Sequence, residues 1–89
     1  MGKMPDRIRD LLVNAVSAAR YGVPPESSIV EAIRAGDRDM RIDQLKFDSL
    51  AWMEFCICIE LESGHELTPA HISDMRYFFE IEDWLRGRP

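Results

Sequence analysis

The chain has 89 residues, enough for one domain and too few for a second core. Its apolar share of 46% and charged share of 30% are those of an ordinary folded protein and exclude wholesale disorder. Residues 1–46 hold eight basic and seven acidic side chains, while residues 47–89 hold three and nine, so the net charge of −5 is concentrated in the second half, which repels nucleic acid and attracts basic protein surfaces.

In chain order, Ile8, Leu11, Leu12, Ala15, Val16 and Ala19 recur at helical spacing and predict an amphipathic helix. Pro5 suits its first turn, and Gly22 with Pro24-Pro25 ends it. Residues 22–47 read as a long connection. Within it Ser28 and Glu31 have the spacing of a capping box ahead of Ile29, Val30, Ala32 and Ile33, with Gly36 closing a short helix. Met40, Ile42, Leu45 and Phe47 are the apolar anchors expected to pin the rest of the connection to a core.

Residues 48–63 predict a second main helix, opened by Asp48-Ser49 and ended by Gly64. Its apolar residues occupy more than one side, so part of its surface is either central or offered to a partner. Trp52 and Met53 are the two expected to be partly exposed. Thr68-Pro69 is an N-cap followed by proline, starting a short helix that carries Ile72 and Met75. A last helix presents Phe78, Ile81, Trp84 and Leu85, with Gly87 and Pro89 after it; Trp84 and Tyr77 read as structural. The whole predicts one all-α domain over residues 1–89.

Cys56 and Cys58 lie two apart on the predicted helix and point away from each other, which rules out a disulfide between them. With only His65 and His71 besides, no metal-ligand spacing exists. The N-terminus lacks the apolar core of a signal peptide and no run is long enough to span a bilayer, so a cytoplasmic protein without membrane insertion is expected. A nucleophile assembled from Ser49, a histidine and a carboxylate has no support in the spacing, and the chain is not expected to be an enzyme.

Ser49 has an ordinary reading as a helix cap. The residues around it point further. Leu45-Lys46-Phe47-Asp48-Ser49-Leu50 resembles the Leu-Gly-x-Asp-Ser-Leu attachment motif of the acyl carrier protein family, preceded by Ile42-Asp43-Gln44-Leu45, which resembles that family's Leu-x-x-Leu lead-in. The similarity continues without a gap through residues 48–67, including Glu54, Glu60 and Glu66-Leu67. Residues 68–85 resemble the family's third and fourth helices, with Ile72, Met75, Phe78, Ile81 and Leu85 at the apolar positions.

The resemblance implies an acyl-carrier-like four-helix bundle with a long loop between helices I and II, in a specialised, stand-alone, monomeric member. It implies that a phosphopantetheinyl transferase places 4′-phosphopantetheine from coenzyme A on Ser49, with Asp48 and Lys46 beside the arm. The arm's thiol would then hold acyl intermediates as thioesters for fatty acid, polyketide or related lipid biosynthesis. Leu50, Trp52, Met53, Glu54, Ile57 and Glu60 would meet the acyl-loading and acyl-transfer enzymes, and an interior lined by Leu61, Ile72 and Phe78 would shelter a long cargo. A peptidyl or aminoacyl carrier, and an unmodified carrier-fold interaction module, remain as alternatives. Four residues depart from the pattern, one of them Trp52, which stands where a smaller residue is usual. Lys46 stands where glycine is common, at a turn whose backbone angles glycine tolerates best. Ala51 stands where aspartate is common, and Ser63 where an aromatic is frequent.

Overall fold

The computed structural model describes residues 7–20 and 26–87. Over them run α1 (Arg7–Ala19), α2 (Ser27–Ala35), a 3-10 turn (Ile42–Leu45), α3 (Ser49–Ser63), α4 (Pro69–Ser73) and α5 (Phe79–Arg86). Among these residues there is no strand, only an isolated antiparallel bridge between Arg41 and Tyr77, so the fold is all-α. Pro5, Gly22, Pro24, Pro25 and Pro89, assigned above to helix ends, lie outside the described residues.

The apolar stripe of α1 buries Leu12, Ala15, Val16 and Ala19, chiefly against α3. Its counterpart on α3 is Ala51, Phe55, Cys56 and Ile59, with Leu67, Ile72, Phe78, Ile81 and Leu85 completing the core from α4, α5 and their approaches. Phe55 is fully buried and stacks edge-on to Phe78 at 6.3 Å. Burying a side chain of this size is worth about 1.5–3 kcal/mol relative to leaving it in water. One buried ion group ties the outer helices. Glu82 on α5 accepts from Arg9 of α1 at 3.2 Å and from Arg86 at 2.9 Å, and Arg9 reaches on to the carbonyl of Arg34 in α2 at 2.9 Å.

Two expectations need correction here. The N-cap of α2 is Glu26, not Ser28: the amides of Ile29 and Val30 both bond to the Glu26 carbonyl, so the helix opens earlier and Ser28 lies inside its first turn. Met75 is not on the short helix, because α4 ends at Ser73; it sits half-buried in the segment leading to α5. The ends at Gly36 and Gly64 fall as expected, at φ of 69° and 78°, and Thr68 caps α4 with Pro69 behind it.

The connection before α3 is held from two directions. Met40, Ile42 and Leu45 are buried and Phe47 packs against the core. In addition, Ile42 donates to the carbonyl of Arg76 and Phe78 donates to that of Met40, both at 2.9 Å. Residues 40–42 therefore run antiparallel to residues 76–78, which fixes the entry to α3 against the entry to α5.

Candidate functional site at the start of α3

Asp48 takes the cap of α3. Its backbone is extended, and its Oδ1 accepts from the amide of Ala51 at 2.8 Å. Ser49 is thereby relieved of capping. It is exposed at the first helical position, and its hydroxyl bonds to nothing among the described residues. The amides of Ser49 and Leu50 likewise find no acceptor among those residues, as is usual for a first turn, and they stand at the positive end of the helix dipole. An anion on the Ser49 oxygen would meet these donors.

Lys46 closes the 3-10 turn with φ 54° and ψ 39°, the one non-glycine residue at positive φ among those described. The turn thus has the geometry that suits glycine even though lysine occupies it. A left-handed lysine costs about 1–2 kcal/mol in steric strain. Its side chain is exposed, three residues before Ser49.

The chain matches no protein-family model, no curated protein and no solved structure.

Leu50, Met53 and Ile57 stand 50%, 52% and 48% exposed along one side of α3, continuing the line that begins at Ser49. Glu60 is exposed beside them and Glu54 is half-buried. Leu61 extends the same row at 80% exposure, one and three turns beyond Ile57 and Leu50. It therefore does not line an interior with Ile72 and Phe78, which are buried in the packed core. Trp52 is set apart from the row. It lies half-buried between Phe47 at 4.9 Å and Phe55 at 5.4 Å. Tyr77, expected to be structural, is 39% exposed and stacks on Phe79 at 5.8 Å.

The histidines are not assembled around Ser49. His65 follows the far end of α3, about 20 Å along the axis at 1.5 Å per residue. His71 accepts the Thr68 amide through Nδ1 at 3.2 Å and leans on Trp84. Cys56 and Cys58 are both free thiols. Burial pushes Cys56 up to about 11, and burial together with a 2.9 Å contact to the Glu62 carboxylate pushes Cys58 up to about 12. Both stay protonated and poorly nucleophilic near neutral pH. No helix among the described residues is long and apolar enough to cross a membrane.

An open groove of about 510 Å³ is lined by Phe47, Trp52 and Met75 together with Arg41, Lys46 and Arg76; Ser49 does not line it but stands one helical turn from Trp52. Nothing in the local sequence pattern announces it. Its lining comes from residues 41–47, from Trp52 of α3 and from residues 75–76, the first and last being brought together by the long-range pairing described above.

Proposed function

We propose that this chain is an acyl carrier protein, with 4′-phosphopantetheine on Ser49 holding acyl intermediates as thioesters for partner enzymes. In this reading α1, α3, α4 and α5 are the four helices of the carrier bundle and α2 lies within the long connection. The observation that carries it is the division of tasks at residues 48–49. Asp48 caps α3, which leaves Ser49 exposed with an unengaged hydroxyl, so the ordinary explanation for a serine at a helix start does not account for it.

Two further features agree. Lys46 adopts the left-handed conformation expected of the motif's glycine. The donor set at the site, two first-turn amides and an exposed ammonium nearby, fits the phosphodiester of the arm. The row Leu50, Met53 and Ile57, flanked by Glu54 and Glu60, offers partners an apolar strip with few charges. Recognition would then rest more on apolar contact than on long-range steering, which suits a narrow set of partners in a specialised pathway.

The test is intact mass after incubation with coenzyme A, magnesium and a broad-specificity phosphopantetheinyl transferase. The expected result is a gain of one phosphopantetheine on the wild type and none on Ser49→Ala. A thiol titration at pH 8 gives a second readout. The apo protein should react slowly, since burial pushes Cys56 up to about 11 and Cys58 up to about 12, while the modified form gains one faster, exposed thiol per chain. A folded wild type that gains no mass with several transferases would refute the carrier reading and favour an unmodified interaction module.

A further inference from the structure

The groove near Ser49 is chemically unlike the half of the chain that supplies one of its walls. Residues 47–89 are acidic on balance, yet here Arg41, Lys46 and Arg76 surround an apolar floor of Phe47, Trp52 and Met75. One carboxylate, Asp43, also borders the groove, and Arg41 engages it at 3.1 Å. Neither Lys46 nor Arg76 makes a close salt bridge among the described residues, although the Glu80 carboxylate, which accepts from the Arg76 amide at 2.8 Å, is held below its usual range by the amides of Tyr77 and Arg76 and by the Arg76 charge. The backbone positions that carry the cations are fixed. Arg41 and Arg76 sit on the two paired stretches joined by the Ile42–Arg76 and Phe78–Met40 bonds, and Lys46 follows a 3-10 turn anchored by buried Ile42 and Leu45. Ser49 and Trp52 are one helical turn apart on α3, so an arm attached at Ser49 that folds back along Trp52 brings its distal end to the groove.

We infer that this groove receives the distal end of the cargo and favours acyl groups ending in an anion, a terminal carboxylate on a short aliphatic chain being the simplest. This rests on Ser49 being the attachment site. The methylenes of such a cargo lie on Trp52, Phe47 and Met75, and its carboxylate meets the Arg76 guanidinium and Lys46 ammonium. A methyl-ended chain of equal length finds the same apolar side chains and gains nothing from Lys46 or Arg76. Exposed ion pairs are individually weak. Attachment to the protein offsets that weakness, because a tethered ligand faces its site at an effective concentration no free ligand approaches. Preference for the anionic cargo should therefore be several-fold and should fall as salt is added.

The experiment loads the full chain from adipyl-coenzyme A and, separately, from hexanoyl-coenzyme A with one transferase, and checks both products by intact mass. The two cargoes have the same carbon count and differ in the terminal carboxylate. The readout is the indole N–H resonance of Trp52, assigned with Trp52→Phe, together with the Arg76 side-chain resonance. The adipyl form should shift both several-fold more than the hexanoyl form at low salt. Arg76→Gln, whose thermal midpoint should lie close to the wild type because that side chain is exposed and its charge interaction with Glu80 is screened by solvent, should remove the difference. Complete loading with equal shifts from both cargoes would overturn the anionic preference and leave the carrier reading standing. Failure of both cargoes to load on a folded chain, with several transferases, would remove both readings.

Discussion

On the inner side of α3, Ala51, Phe55, Cys56 and Ile59 are packed against α1 and the approaches to α4 and α5. On its outer side, Leu50, Met53, Ile57 and Leu61 are of comparable hydrophobicity and stand between 48% and 80% exposed. The two faces differ in what lies opposite them and hardly at all in composition. Stability explains the first face. The second contributes little to folding and keeps apolar surface in water, a cost to solubility that a docking partner would remove. The contrast separates what α3 does for the fold from what it offers beyond it, and Ser49 stands at the head of the outer row.

The largest test of that separation is Phe55→Ala. Phe55 contacts the rings of Trp52, Phe47 and Phe78 and has no exposed surface. Truncating it should cost about 3–5 kcal/mol, from lost transfer energy and the cavity left behind. That is a large part of the stability of a chain this short, and urea denaturation should find the variant close to unfolding at room temperature. A loss below about 1 kcal/mol would mean that the inner face is not the core.

Next comes the entrance to the helix. Asp48→Ala removes the acceptor of the Ala51 amide and should cost about 1 kcal/mol in the same measurement. If Ser49 rotated in to cap the helix instead, the loss would shrink to a few tenths, and the division of tasks at residues 48–49 would have to be abandoned. Lys46→Gly should act in the opposite direction. Releasing the left-handed strain contributes about 1–2 kcal/mol, and the added freedom of glycine in the unfolded chain takes back about 0.4–1 kcal/mol. A net gain of about 0.5–1 kcal/mol is expected; a net loss would show that the lysine side chain stabilises the turn through contacts that outweigh its backbone strain.

Much of this was legible beforehand, for a definite reason. Helical periodicity and caps are local, so α1, α3 and α5, the Gly36 and Gly64 ends and the Thr68-Pro69 start could all be read from neighbouring residues. The errors are of two kinds. Ser28 with Glu31 has capping-box spacing, but spacing does not say which carbonyl the helix bonds to first, and Glu26 takes that place. The family resemblance puts Leu61 in the interior, whereas its place one turn after Ile57 sets it on the exposed outer row. The groove was invisible for another reason. Arg41, Lys46, Met75 and Arg76 converge through a pairing of two three-residue stretches far apart in the chain, too short to show any alternation. The motif around Ser49 suggested an attachment point, whereas the place where an attached group would rest depended on tertiary structure.

The smallest expected change in stability is the most informative about the outer face. Ile57→Glu exchanges a half-exposed apolar residue for a charged one at a helix position that accepts either, so unfolding should move by no more than about 0.5 kcal/mol. Its effect should appear in recognition. Steady-state modification of Ser49 by the transferase should show a raised KM, with kcat little changed, because Ile57 lies two turns from the hydroxyl and takes no part in the transfer. Phe55→Val, buried on the inner side, should show the converse, with weakened folding and an unaltered KM wherever the variant remains folded. If Ile57→Glu instead unfolded the protein and left KM unchanged, the outer row would belong to the core after all. If both variants left KM unchanged, the transferase would have to find Ser49 by another route, and the acidic side chains and the groove rim would be the surfaces left to test.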